Sequence, residues 1–179
     1  MAQTATATAT TLSTPRLTLR APRADDAPLL ARLANDHGVA SMTTSIPYPY
    51  DEAMAESFLD RMARADRSRD AVFAIDIPDV GFAGVVGLHP TRGCATELGY
   101  WLGRPHWGKG YMTEAVRAAL EWAGGAWGKR FLRAGHFADN PASGQVLIKA
   151  GFLYTGDVCP RFSVARGEKA ATRMMVWLA

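Results

Sequence analysis

The stretch Glu97 to Glu114, ELGYWLGRPHWGKGYMTE, carries the pattern best suited to chemistry. Leu98, Tyr100 and Leu102 alternate with Glu97, Gly99 and Trp101, which predicts a strand with two unlike faces. A glycine-rich loop, Gly103 to Gly110, follows, and then Met112, Ala115, Val116, Ala119, Leu120 and Ala123 recur at helical spacing. Gly108 and Gly110 let the backbone approach a ligand closely. The first N–H groups of a helix have no internal partners and lie at the positive end of its dipole. Strand, glycine loop and helix start, in that order, suit a phosphate group; the plainer alternative is an ordinary tight turn.

A second motif overlaps the loop. Gly103 to Lys109 fits GxxxxGK, the opening of a nucleoside-triphosphate loop, whose next residue must be Ser or Thr to hold Mg²⁺. Gly110 stands there and has no hydroxyl, and Pro105 and Trp107 are bulky where such a loop wraps a phosphate. The reading therefore disfavours a triphosphatase.

These residues need a scaffold. Arg16 to Arg20 alternates as a half-buried strand, Ala24 to Asn35 reads as a helix, and Ser41 to Tyr50 reads as a loop. Asp51 is a helix N-cap, for a helix reaching about Arg67. Ala71 to Ile77 and Phe82 to Leu88 form a hairpin, Ala95 to Leu102 a third strand, and Phe131 to Phe137 a further one. Asn140 and Pro141 open a short helix as N-cap and first residue, and Gly151 stops it. Thr172 to Leu178 is the final strand. The order predicts a mixed α/β domain, α+β in its segregation, around one mostly antiparallel central sheet flanked by helices.

The chain has 179 residues, 48% hydrophobic and 21% charged, as expected of one globular domain. Its formal net charge of +3 comes with no basic arm, so nucleic acid is not an expected partner. No apolar run approaches the ~20 residues of a membrane span. Cys94 and Cys159 show no metal-ligand spacing, nor do His37, His89, His106 and His136, which read as structural or exposed. No metal is expected. Residues 1–13, rich in Ala and Thr, read as a disordered tail, and 14–179 as the domain. Without an export signal, two isolated thiols suggest a cytoplasmic protein.

Trp107-Gly108-Lys109-Gly110-Tyr111-Met112-Thr113-Glu114-Ala115 resembles the cofactor-binding motif of the GNAT acetyltransferases, in particular the RimJ/RimL-like branch. Asn140-Pro141-Ala142-Ser143 with Leu147-Ile148-Lys149-Ala150-Gly151-Phe152 resembles that branch's second motif, and Thr14-Pro15-Arg16-Leu17-Thr18-Leu19-Arg20 its opening. The resemblance covers nearly all of residues 14–179. It implies a sheet splayed in the middle, with acetyl-CoA, used as co-substrate, wedged into the gap. By the same resemblance, backbone N–H groups of Trp107, Gly108, Lys109, Gly110, Tyr111 and Met112 bind the pyrophosphate. The family usually has Gly or Ala where Met112 stands. The pantetheine arm pairs with backbone at Tyr100, Trp101 and Leu102, and an amide there stabilises the oxyanion. Asn140 matches a contact to the cofactor arm and is equally a plain N-cap.

The implied activity is transfer of an acetyl group to an amine by direct attack in a ternary complex. The amine must be neutral: a lysine-like amine costs about 4 kcal/mol to deprotonate at pH 7.5, an α-amine much less. Glu97 matches a position credited as general base; its alternative is a solvated or salt-bridged strand carboxylate. Many GNAT proteins place a Tyr proton donor where this chain has Leu147. RimL-like relatives resemble this chain in having Ser at position 143, so Ser143 is the expected donor to the leaving sulfur, or else a helix-start Ser bonded to backbone. The Ser41–Tyr50 loop, the second helix and the Cys159–Lys169 turn would wall the acceptor site, with Tyr48, Tyr50 and Arg161 as contacts. The acceptor is a protein N-terminus or a small molecule, and a homodimer is compatible with the reading. A catalytically weak acyl-CoA-binding module is the alternative.

Overall fold

The computed structural model describes residues 10–91 and 95–179. Eight strands and five helices follow in the order β1 (Leu12–Ser13), β2 (Thr18–Arg20), α1 (Ala27–Ala34), α2 (His37–Ala40), α3 (Glu52–Arg64), β3 (Ala71–Ile77), β4 (Gly81–Pro90), β5 (Thr96–Leu102), α4 (Tyr111–Gly124), β6 (Phe131–Phe137), α5 (Pro141–Lys149), β7 (Leu153–Ser163) and β8 (Glu168–Leu178). Short 3₁₀ turns at Ala24–Asp26 and Arg104–His106 precede α1 and α4.

The strands form one sheet in the order β1-β2-β3-β4-β5-β6-β8-β7. Every pairing is antiparallel except β5 with β6. That parallel contact holds only from Thr96–Leu98 against Leu132–Ala134. Beyond it β5 stays with β4 and β6 with β8, so the sheet opens between Gly99–Leu102 and Gly135–Phe137. This is the expected splayed α/β architecture.

Each face of the sheet buries its own core. One lies under α4 and α5 and includes Leu98, Leu102, Val116, Leu120 and Leu147. The other lies under α1 and α3 and includes Leu30, Leu59, Val72, Phe82 and Val85. A sheet covered on both sides has no reason to alternate polar and apolar residues, and β3 is buried along almost its whole length. The alternation in β5 survives as a choice of core: Leu98 and Leu102 face α4, while Trp101 packs against Phe82 on the other side.

The helix caps follow their side chains. Asp51 accepts from the Met54 amide at 2.8 Å, and Asn140 from the Ser143 amide at 3.2 Å. Gly151, at φ +96°, ends α5 in the left-handed region. The α3 helix stops at Arg64, short of the expected Arg67.

Asp36 creates α2, in a stretch that the sequence reading leaves unassigned, by capping the Gly38 and Val39 amides. Two expectations need correction. Leu12 and Ser13, assigned to the tail, pair with Leu19 and Thr18 as β1; residues 1–9 lie outside the described residues. The Cys159–Lys169 turn is mostly strand: β7 runs to Ser163, and β8 begins at Glu168. Cys94 lies outside the described residues, and Cys159 is exposed and free.

Candidate active site

The opening between β5 and β6 joins a cleft of about 1660 Å³ lined by Glu97, Gly99, Tyr100, His136, Ser143 and Arg161, among others. Its outer wall is stapled shut. Ser163 Oγ donates to the Thr43 carbonyl at 2.9 Å, and Arg166 donates to the Ser41 carbonyl and, through both terminal nitrogens, to Asp139. The β7–β8 turn is thereby fixed to the loop after α2.

Beyond its open end, β5 leads through residues 103–110 to the start of α4. Gly108 and Gly110 adopt φ of +74° and +80°, a region costly for any residue with a Cβ. Helices α2, α3 and α5 begin with a side chain bonded to their first amides; α4 begins with Gly110 and has none. The amides of Gly110, Tyr111, Met112 and Thr113 find no protein acceptor among the described residues. This cradle fits the pyrophosphate of acetyl-CoA: donors are free, the dipole is favourable, and a Cβ on Gly108 would meet nothing within 4 Å. Met112 turns its side chain into the core, where it is 7% exposed, so its departure from the usual Gly or Ala leaves the amide facing outward.

Two sequence motifs meet here. Glu114 accepts from Thr14 Oγ1 at 2.7 Å, from the Arg16 amide at 3.0 Å and from Arg16 Nε at 2.7 Å, while Arg16 Nη1 donates to the Lys109 carbonyl at 2.9 Å. The opening strand segment therefore holds the loop in shape. Two of the expected backbone contacts have partners within the protein. The Trp107 amide donates to the Arg104 carbonyl at 3.2 Å, and the Leu102 carbonyl accepts from Trp107 Nε1 at 2.6 Å. Lys109 turns its amine to the Pro105 carbonyl. Burial, with the charges of Lys109 and Arg32, lowers the pKa of His106 beside the loop.

Along the opening, Tyr100 Oη lies 2.9 Å from both the carbonyl and the Oγ of Ser143. The phenol has one proton, which goes to the carbonyl, a pure acceptor; Ser143 Oγ then donates to Tyr100. Burial raises the pKa of Tyr100, so it stays protonated. Its hydroxyl was missed in the sequence, where Tyr100 counted only as backbone. An imidazole and a phenol, His136 and Tyr154, form a second pair. His136 Nδ1 donates to the Phe137 carbonyl and Nε2 faces Tyr154 Oη, both at 2.8 Å. Gly144 permits this packing, because a Cβ there would come within 2.8 Å of His136.

Glu97 and Arg161, expected in separate roles, form one bidentate ion pair. Arg161 has a raised pKa, chiefly through that hydrogen bond. Tyr50 lines the cleft and is 9% exposed, its phenol pKa raised by burial. Tyr48 is not brought to the cleft wall; it packs edge-on against His37 with ring centroids 5.3 Å apart. Among the described residues no three His, Cys, Asp or Glu side chains gather as a metal site, and no helix is long and apolar enough to cross a membrane.

A strand pair that parts beside an uncapped, glycine-started helix defines the class. Residues 16–153 match the family model of the acetyltransferase (GNAT) domain, and the chain belongs to that family. It is 32% identical over 117 residues to the uncharacterised N-acetyltransferase p20 of Bacillus licheniformis, an alignment covering 63% of this chain and about 65% of that relative's length. Among solved structures, the fold resembles RimL, a ribosomal L7/L12 α-N-protein acetyltransferase in complex with coenzyme A, with a TM-score of 0.81 and 18% identity over 94% of this chain and 98% of that one. It also resembles spermidine N-acetyltransferase from Vibrio cholerae in complex with CoA and spermine, with a TM-score of 0.75 and 19% identity over 92% and 96%. The GNAT membership read from the three motifs is thus borne out, and the fold is shared with the RimL structure.

Proposed function

We propose that the protein transfers an acetyl group from acetyl-CoA to an amine by direct attack in a ternary complex. The observation that carries this is the gap between β5 and β6, where β5 sets Tyr100 beside Ser143 and then leads through the glycine loop to the unpaired amides of Gly110 to Thr113. When bound, acetyl-CoA supplies the activated acyl group. Gly108, Gly110, Tyr111 and Met112 hold its pyrophosphate through backbone, with Trp107 and Lys109 shaping the loop. Tyr100, Trp101 and Leu102 offer strand edge to its arm, and Asn140, whose Oδ1 caps the Ser143 amide, is the further residue expected to meet that arm.

Ser143 turns its one hydroxyl proton from Tyr100 Oη to the leaving sulfur when the arm is bound, while Tyr100 goes on donating to the Ser143 carbonyl. Glu97, at the position expected of a general base, is held with Arg161 at the acceptor side of the gap. Tyr50 and Arg161 line the acceptor's path; Tyr48 lies outside it. RimL acts on a protein α-amine and the spermidine enzyme on a polyamine, so both classes of acceptor stand for this chain.

Calorimetry with acetyl-CoA, CoA and Mg-ATP tests the reading at its base. Micromolar binding of acetyl-CoA without Mg²⁺, and none of ATP, supports it. Binding without any transfer to peptides or polyamines would leave an acyl-CoA-binding module.

A further inference from the structure

His89 lies in the cleft in a position that the proton-transfer chemistry has not yet used. Its Nδ1 is 2.8 Å from Asp70 Oδ1. A carboxylate can only accept, so Nδ1 carries a ring proton, and Nε2 is the nitrogen that serves as base in the neutral ring, as when a second group orients a catalytic imidazole. His89 is the cross-strand partner of Glu97, so the two side chains share the sheet face that looks into the cleft.

The ring does not point out along this row. It folds back over Gly87: a Cβ there would be 2.4 Å from His89 Nε2 and 2.9 Å from Cε1. A Cβ on Gly99 would be 4.0 Å from Cδ2. Gly87 and Gly99 are themselves cross-strand partners, and together they leave a flat seat for the imidazole. Gly99 is the first residue of β5 beyond the last β5–β6 pair, Leu98 with Ala134. The ring is therefore seated at the mouth of the gap.

Building on the acetyltransferase reading, we propose that His89, positioned by Asp70, is the base that takes the proton from the attacking amine. Glu97 is the weaker candidate, because Arg161 occupies both of its oxygens. In the step, the amine nitrogen forms a bond to the acetyl carbon and the carbon–sulfur bond breaks. The nitrogen's proton passes to His89 Nε2, and the sulfur leaves with its electron pair toward Ser143.

The charged groups around His89 are Asp70 before β3, Glu97 on β5 with Arg161 of β7 upon it, and Glu56, Asp60, Arg61 and Arg64 of α3, which line the same cleft. An imidazole base makes kcat rise with pH in the range where imidazole loses its charge, about pH 5 to 8.

The test uses the full chain, with a short free-N-terminal peptide and spermidine as acceptors and thiol release as the assay. Wild-type transfer is measured first, and its absence with both acceptors overturns the functional reading and this inference together. Given transfer, His89→Gln is expected to lower kcat about 100-fold. The ascending limb below pH 8 should disappear, while acetyl-CoA binding by calorimetry stays within about twofold of wild type. Gly87→Ala, which displaces the ring without removing it, is expected to give the same loss, and added imidazole should restore part of the activity of His89→Ala. An unchanged kcat and pH limb in His89→Gln, with the limb lost in Glu97→Gln instead, would overturn the proposal.

Discussion

Glu114 in the first turn of α4 binds Arg16, 98 residues earlier in the chain, through the Arg16 amide and guanidinium at once. The same guanidinium reaches the Lys109 carbonyl, so the glycine loop is held from outside the helix it precedes. Arg16→Ala should therefore raise the KM for acetyl-CoA severalfold and leave kcat nearly unchanged. Steady-state kinetics at saturating acceptor check this; an unchanged KM would deny the loop its external brace.

Gly110→Ala addresses the cradle itself. At φ +80° an Ala costs about 1–2 kcal/mol of backbone strain, and its Cβ would sit 3.4 Å from Arg16 Nη2. The expected result is at least a tenfold loss of acetyl-CoA affinity by calorimetry, with the folded spectrum retained.

Ser143→Ala removes the hydroxyl proposed to donate to the leaving sulfur. A thiol with an ordinary pKa of ~8.5 is a fair leaving group on its own, so kcat should fall roughly tenfold without vanishing. Tyr100→Phe removes the phenol that Ser143 Oγ meets at 2.9 Å and should cause a smaller drop. Additive losses in the double variant would show that the two hydroxyls act separately; a smaller combined loss is expected of a pair.

Stability at acid pH turns on Asp26, which is 5% exposed and bound by both terminal nitrogens of Arg20 at 2.7 and 2.9 Å. Burial works to raise its pKa, but Arg20 and the Arg23 amide together hold it below the ordinary 3.8. A carboxyl depressed in the folded state stabilises above the unfolded value, and that contribution is lost as pH falls from about 3.8 through the lowered value. Asp26→Asn should cost about 3 kcal/mol at pH 7, since it leaves a mostly buried Arg20 short of one partner. Thermal melts from pH 7 to 2 should show the two proteins converging at the acid end.

Local signals made much of this molecule legible. The Asn140–Pro141 helix start, the Asp51 cap and the glycine loop each depend on residues within a turn of one another. The bounds of β7 were not legible, because almost all of Leu153–Ser163 is exposed and Gly156 and Pro160 interrupt it, so no face repeats. The Glu97–Arg161 pair spans 64 residues and two strands that never touch in register, and spacing carries no trace of it. His89 gave no signal for a similar reason: Asp70 is 19 residues away, and the seat formed by Gly87 and Gly99 exists only once β4 and β5 pair. Tyr48 shows the opposite failure, an aromatic loop residue near the cleft in sequence that the fold spends on His37.

The central claim is most directly tested by following the labelled acetyl group of acetyl-CoA onto a free-N-terminal peptide and onto spermidine, with product identified by mass spectrometry. The account predicts an N-acetylated product from at least one acceptor, formed in step with thiol release and without Mg²⁺. Tight binding of acetyl-CoA with no label on either amine would contradict it.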